Sequence, residues 1–206
     1  MTALNKVLLS MTLLFSFSHA GGCILTQSDD MNVSWKAYKT FAKLGVAGQF
    51  TSVKYTPNAK EGKNFKELLV GSSVEIDITK INTKNPARDK TLVDMFFKKL
   101  KGKTIQGKII AIHSNKREKG KPYTGKLDIS ISMNEKTLII PMSYHYDKEH
   151  FKANGVIDLF DFEAKPALNS INKSCYDLHK GKTWSDVNIE FSSIIKTSLC
   201  DVEIKK

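Results

Sequence analysis

The chain has 206 residues, and its 32 lysines and arginines against 21 acidic residues give a net charge of +11. This length suits one domain with a substantial core. Only Arg88 and Arg117 are arginines, whereas base-specific recognition relies mainly on the planar arginine fork, so nucleic acid is excluded as a partner. The lysines serve either peripheral contact with an anionic membrane surface or solubility, as a solvated coat.

The first twenty residues have the pattern of a secretory signal. Lys6 gives a positive start, VLLSMTLLFSF is a short apolar run, and Ser18-His19-Ala20 fits a cleavage site. We therefore predict a signal peptide over 1–20, removed near Ala20, and a periplasmic or secreted protein formed by a single domain over 21–206. The alternative is lipid anchoring at Cys23, because the preceding residues resemble a bacterial lipoprotein box. No later run approaches the ~20 apolar residues of a membrane-spanning helix.

Period-two alternation of apolar and polar residues predicts eight β-strands in the rest of the chain. The clear runs and the three weaker ones, in chain order, are 33–37, 46–56, 74–78, 103–113, 127–133, 138–146, 150–160 and 187–191. Polar hairpin loops between them favour an antiparallel meander. We predict an all-β, eight-stranded antiparallel up-and-down barrel, because closing the sheet covers its apolar face and removes its edges. A two-sheet sandwich would share most of this pattern.

Two segments interrupt the alternation with helical spacing. In 86–97, Pro86 suits a first turn, and Leu92 and Phe96 recur on one face. In 166–179, apolar residues recur at steps of three and four before Gly181. The sequence thus predicts two short helices beside the barrel.

Three cysteines in an exported chain predict one disulfide and one remaining thiol. In a closed meander of eight strands, the first and last strands are neighbours. Cys23 precedes the first and Cys200 follows the last, whereas Cys175 lies on the apolar face of its helix. We predict a Cys23–Cys200 disulfide and a free Cys175.

Enzyme motifs are missing from the sequence. The two Gly-Lys-Thr triplets lack the earlier glycine of a phosphate-binding loop. The segment YHYDKEHF, residues 144–151, which contains His145 and His150, is typical of a polar hairpin turn rather than of a metal site. Adjacent Arg88 and Asp89 do not face each other on a helix, so each is expected to hold a separate partner. Arg88 is expected to fix a nearby loop, the alternative being a ligand head group. We predict no catalytic residue, no metal and no cofactor.

Three stretches resemble the YceI-like, polyisoprenoid-binding proteins. In INTKNPARDKTLVDMFF, a strand ending in I-x-T precedes R-D-x-x-L and a double phenylalanine; the opening hairpin K-x-G-V-x-G-x-F and the tail YDLHKGKTWSDVNIEF are similar too. The matching positions include Ile81, Thr83, Arg88, Asp89, Leu92, Phe96 and Phe97, and Lys43, Gly45, Val46, Gly48 and Phe50. The resemblance implies a lipocalin-like barrel in the bacterial periplasm that holds isoprenoid quinones or other long amphiphiles. It is also compatible with a homodimer.

A ligand-binding interior follows from both arguments. Several inward candidates are small and leave room, namely Ala37, Gly48, Gly107, Ala111, Gly125, Ala153 and Gly155. The helix over 86–97 is expected to plug one mouth with its two phenylalanines. The predicted ligand-binding residues are Trp35, Ala37, Phe50, Val74, Ile76, Ile78, Leu92, Phe96, Phe97, Ile109, Leu127, Ile129, Ile131, Leu138, Ile140, Met142, Leu168, Ile189 and Phe191.

The function expected from this interior is non-enzymatic carriage or scavenging of a long apolar isoprenoid or fatty amphiphile. An apolar, lipid-like small molecule is therefore the predicted partner. The alternative is a secreted stress or adhesion factor that acts through its lysine-rich surface, with the barrel only as a scaffold.

Overall fold

The computed structural model describes residues 23–198; the predicted signal peptide over 1–20 and Cys200 lie outside the described residues. The strands are β1 (Ile24–Gln27), β2 (Asn32–Lys39), β3 (Leu44–Phe50), β4 (Val53–Thr56), β5 (Glu61–Gly62), β6 (Ser73–Asp77), β7 (Ile81–Asn82), β8 (Thr104–Ser114), β9 (Tyr123–Met133), β10 (Lys136–Asp147), β11 (His150–Asp158) and β12 (Asp186–Ser198). The α-helices are α1 (Phe65–Leu69), α2 (Pro86–Met95), α3 (Lys165–Ser174) and α4 (Tyr176–His179). Among these residues, none of the helices is both long and apolar enough to cross a membrane.

The strands form one antiparallel sheet in which β8 to β12 pair in chain order. β12 then pairs with β2, so the last long strand lies beside the first long strand, as the sequence predicts. The alternation of apolar and polar residues explains why the inner face of the sheet is apolar. In β9, for example, Leu127, Ile129, Ile131 and Met133 are buried and alternate with more exposed polar residues.

The sheet curls until its two ends meet in one bent segment of the chain. β3 pairs with β2 and, only two residues later, β4 pairs with β6. At the bend, Thr51 N donates to Lys80 O at 2.8 Å and Asp77 N donates to Ser52 O at 3.2 Å. We call this junction the seam.

The predicted strand count of eight is wrong, because the sheet of the described residues has twelve strands. The predicted run 46–56 bends at the seam and divides into β3 and β4. β1, β5 and β7 have only two to four residues each, too few for alternation to mark them.

Both predicted helices are confirmed, with small changes. The first is α2, followed by a 3₁₀ turn over Phe97–Lys99, and the second is divided into α3 and α4 at Cys175. α2 packs on α3 at one end of the curled sheet.

The opposite end of the sheet is filled by α1 and an aromatic cluster. β10 runs from the α3 end of the sheet to the opposite end, since it starts near α3 and ends at the Asp147–His150 hairpin. The aromatic cluster consists of Phe65, Tyr123, Tyr144, Tyr146, Phe151 and Phe191, with ring centroids 5.0–6.0 Å apart in contacting pairs. Asn64 caps α1 by accepting from Glu67 N, and Glu67 accepts from Lys63 N.

The chain ends approach each other across β1 and β12. Ile24 pairs with Ser198, so Cys23 lies next to the end of the last strand. Because Cys200 lies outside the described residues, the Cys23–Cys200 disulfide stays a prediction. Cys175 is a free thiol, as the sequence predicts.

Candidate ligand cavity

A cavity of about 520 Å³ lies between the inner face of the sheet and the helices α2 and α3. Its volume falls within the ~300–1,000 Å³ of small-molecule sites. The wall is mostly aliphatic and aromatic, with polar side chains both at the Lys39 and His179 end and at the Tyr55 and Ser72 end. Such a wall favours an apolar guest, because water gains few hydrogen bonds there.

Most of the predicted ligand-binding residues line this cavity. They are Trp35, Ala37, Phe50, Val74, Ile76, Leu92, Phe96, Phe97, Ile109, Ile129, Ile131, Met142, Leu168, Ile189 and Phe191. The other four do not reach it: Ile78, Leu127 and Ile140 are buried in the hydrophobic core, and Leu138 packs against that core. An inward-facing side chain was therefore not sufficient to place a residue in the cavity wall, because neighbouring side chains fill part of the interior.

The cavity wall also contains residues that were not predicted. They are Met31, Val33, Val46, Ile105, Met133, Ile157, Leu159, Ile171, Cys175, Leu178, Trp184 and Val187, among others. Several of them continue an inward alternation already recognised: Val46 pairs with Ala37 across β2 and β3. Strand pairing could have predicted these lining residues, because directly opposed residues of antiparallel strands share a face.

Gly48 shows why the β2–β3 hairpin carries a glycine behind the cavity wall. It pairs with Trp35, whose indole ring lies over it. A Cβ at Gly48 would overlap the Trp35 ring and come within 2.9 Å of the Thr83 methyl group. The glycine therefore lets the indole lie flat on β3.

Helix α2 forms one side of the cavity and leads into the double phenylalanine. Asn85 caps its start by accepting from Arg88 N at 3.0 Å, and Pro86 occupies the first turn. Phe97 is only 6% exposed and meets Phe50 edge to face at 5.9 Å. Phe96, whose ring lies 5.2 Å from Phe97, is partly buried. Phe97 is thus part of the core as well as of the cavity wall.

Arg88 and Asp89 hold the same residue rather than separate partners. Arg88 donates from Nε to Thr83 Oγ1 at 2.8 Å and from Nη2 to Thr83 O at 2.6 Å. Asp89 Oδ1 accepts from both the N and the hydroxyl of Thr83. The prediction of two partners is wrong, whereas the prediction that Arg88 fixes a nearby loop is confirmed. This Thr83 clamp ties β7 to the start of α2.

Substituting Thr83→Val tests the clamp. We expect a loss of about 1–3 kcal/mol in the free energy of unfolding, because the buried hydroxyl bonds two charged side chains that would each lose a partner. Urea denaturation measures the change. Thr137→Val, at an exposed position of β10 where the hydroxyl meets only Ser132, should cost no more than about 0.5 kcal/mol. Equal losses in the two variants would contradict the clamp.

The cavity reaches solvent beside α4 and the start of α2. Leu178 lines the cavity yet is 71% exposed, and Ala87 is also both lining and exposed. We call this opening the mouth. Lys39, at the end of β2, lies at the mouth as well.

Two titratable groups at the mouth have shifted pKa values. Burial raises the pKa of the Cys175 thiol, with nearby Lys39 acting weakly in the opposite direction. Burial also lowers the pKa of His179, and Lys39 adds to that effect. The Thr183 hydroxyl donates to Asn172 Oδ1 at 2.8 Å, so His179 Nδ1 donates to Thr183 Oγ1 at 2.7 Å. Both side chains are therefore uncharged at neutral pH.

The inner end of the cavity is buried. Ser72, which lines it, is 1% exposed, and Tyr55 donates to buried Gln27. Leu68 and Leu69 of α1 are fully buried nearby, and Phe191 joins the wall to the aromatic cluster. The cavity is thus open beside α4 and buried at the end formed by Ser72 and Phe191.

The histidine-rich segment has no part in this site. Tyr144–Asp147 pairs with His150–Ala153 in a tight hairpin, which confirms the predicted turn. Across residues 23–198, there is no group of three or more metal-ligating side chains.

A curled antiparallel sheet around an apolar cavity is a lipocalin-like architecture. The chain belongs to the YceI-like family, since the YceI-like domain model matches residues 26–193. The resemblance seen in the sequence motifs is thereby confirmed.

Solved structures share this fold at low sequence identity. A polyisoprenoid binding domain from Saccharophagus degradans, implicated in plant cell wall breakdown, is 8% identical, with a TM-score of 0.55 over 84% of this chain and 98% of that one. BcnA of Burkholderia cenocepacia is 12% identical, with a TM-score of 0.52 over 81% and 96%. The YCEI protein of Campylobacter jejuni is 18% identical, with a TM-score of 0.50 over 75% and 85%. No curated protein sequence matches the chain.

Proposed function

We propose that the protein binds a long apolar molecule, an isoprenoid or fatty amphiphile such as an isoprenoid quinone, and carries or scavenges it without catalysis. The apolar cavity of about 520 Å³ supports this proposal most directly. Each methylene-sized group moved from water into such a wall contributes roughly 0.8 kcal/mol, so ten such groups contribute about 8 kcal/mol, or about micromolar affinity before the cost of association, without polar contacts. The polyisoprenoid-binding domain among the similar folds supports the chemical class.

The geometry also orients the guest. The inner end is buried, whereas Lys39 and His179 stand at the mouth. An amphiphile would enter with its apolar tail first and leave its polar head near the mouth, since burying an unpaired polar group costs free energy. The predicted signal peptide supports placing this activity in the periplasm or outside the cell.

Native mass spectrometry and organic extraction of the purified protein test the proposal. Co-purification of a stoichiometric apolar molecule is the expected result. Reproducible recovery of empty protein that also fails to take up an added isoprenoid quinone or fatty acid would contradict it.

Cys175 offers a reporter of occupancy inside the cavity. Because it lines the cavity near the mouth, a bound ligand should slow its alkylation at least tenfold at mildly alkaline pH, where the raised thiol pKa still permits reaction. Peptide mapping isolates Cys175 from the other cysteines.

The matched control for this measurement is Lys126→Cys. Lys126 is exposed on β9, away from the cavity wall, so alkylation of the introduced thiol should not respond to the ligand. Equal protection at both positions would indicate a global change instead of cavity binding.

A further inference from the structure

An apolar and basic surface lies on one side of the mouth of the cavity. Its apolar members are Phe41, Leu44, Tyr176 and Leu178, which are 75%, 55%, 61% and 71% exposed. Its basic members are Lys39, Lys43, Lys180 and Lys182. We call these eight residues the rim. Large apolar side chains this exposed on a protein surface mark an interaction site when they gather in one place.

Backbone contacts show that the two halves of the rim are neighbours. The β2–β3 hairpin carries one half, and the segment after α3 carries the other. Thr40 N donates to Lys182 O at 2.8 Å, and Trp184 N donates to Tyr38 O at 3.0 Å. The Trp184 indole also donates to Thr40 O at 2.8 Å. The rim is therefore one fixed surface.

The rim adjoins the cavity directly. Lys39 pairs with Leu44 in the same alternation that directs Trp35 and Ala37 inward, so this pair continues the inner face to the edge of the sheet. Lys39 and Leu178 also line the cavity. A ligand entering the mouth would therefore pass beside the rim.

The chemistry of the rim matches the surface of an anionic bilayer. The Nζ atoms of Lys43 and Lys182 lie 4.8 and 4.6 Å from the Trp184 ring. Two ammonium groups and an aromatic ring are therefore in contact at this surface. Aromatic and apolar side chains flanked by lysines are characteristic of the membrane–water interface.

The acidic residues nearby are Asp158, Asp177 and Asp186, of which Asp158 pairs with Asp186 in the sheet and Asp186 binds Lys43 at 2.7 Å. The four rim lysines outnumber these three carboxylates. The local charge is thus positive.

From these contacts we infer that the rim docks the protein on an anionic lipid surface, with the mouth facing the bilayer. The inference rests on the proposed function, because docking would let an apolar ligand pass between membrane and cavity without crossing water. A second copy of the chain fits this surface less well, since a symmetric contact would set the rim lysines against each other.

Flotation with vesicles tests the docking. The full-length mature protein should float with vesicles of phosphatidylglycerol and phosphatidylcholine, at least tenfold more strongly than with phosphatidylcholine alone, and less at high salt. The variants Phe41→Ser/Leu44→Ser and Lys180→Glu/Lys182→Glu should each reduce binding to the anionic vesicles at least tenfold.

Matched variants on the outer face of the sheet control for general effects. Ile139→Ser/Val156→Ser removes two similarly exposed apolar side chains, and Lys126→Glu reverses a distant charge. Both should bind vesicles as the unchanged protein does. Rim variants that bind as well as these controls would overturn the inference. So would sedimentation showing a dimer that Phe41→Ser/Leu44→Ser separates.

Ligand retention in vesicle-free solution separates this inference from the proposed function. The two rim variants should keep a preloaded isoprenoid quinone. Ala37→Trp, which fills part of the cavity, should lose the quinone and still float. Flotation of unchanged protein that binds neither an isoprenoid quinone nor a fatty acid would refute the proposed function alone. Quinone binding without flotation would refute the docking alone.

Discussion

Replacing Ala37 with tryptophan is expected to weaken the binding of an apolar ligand about 30-fold. Ala37 lines the cavity beside its strand partner Val46, and a tryptophan there, which adds nine non-hydrogen atoms, would displace at least two to three methylene-sized groups of the ligand. At about 0.8 kcal/mol for each group, the loss is about 2 kcal/mol. Titration with a fluorescent fatty-acid analogue measures the change in dissociation constant.

Ala47→Trp is the matched control for this experiment. Ala47 is exposed and pairs with Lys36 on the outer face, one residue away from Val46 on the same strand. The same substitution there should leave binding unchanged. If Ala37→Trp binds as tightly as Ala47→Trp, the ligand does not occupy this cavity. Val46→Trp gives an independent second test should Ala37→Trp fold poorly.

The second large effect concerns stability. Phe151→Ala should lower the free energy of unfolding by about 3–5 kcal/mol, because it opens a void in the aromatic cluster. Phe151 is fully buried, stacks on Tyr144 at 5.1 Å and lies 5.5 Å from Phe65. Urea denaturation gives the loss, and Phe151→Leu should give a smaller one if the alanine variant does not fold.

Phe41→Ala provides the comparison within the same chain. Its ring is 75% exposed, so its removal should change the free energy of unfolding by no more than about 0.5 kcal/mol. A similar cost for the two phenylalanines would mean that the aromatic cluster does not stabilise the closed end of the sheet.

Much of the fold could be predicted because long strands repeat a simple pattern. Each long strand shows its inner face through alternation, and the adjacency of first and last strands followed from closing a meander. α1 was missed because five residues are too few for helical periodicity to emerge. The pattern Asn64-x-x-Glu67 was its one available signal, as a capping box at the start of a helix.

The cavity was harder to predict than its walls. Small residues were expected to leave space, yet the Tyr144 ring covers Gly125 and the Met142 side chain covers Gly155. Of the small residues named in advance, Ala37 and Gly107 do line the cavity. Whether a small residue opens a void depends on the size of its neighbours across the sheet, which periodicity alone does not reveal.

The buried inner end makes the interior a pouch instead of a channel. A ligand longer than the pouch would have its apolar tail bound inside while its head group stayed outside. Such a guest could be handed to an acceptor, or have its head group modified by another enzyme, without ever being fully released. The depth of the pouch, set by Phe191 and Ser72, would then decide how much of each guest protrudes.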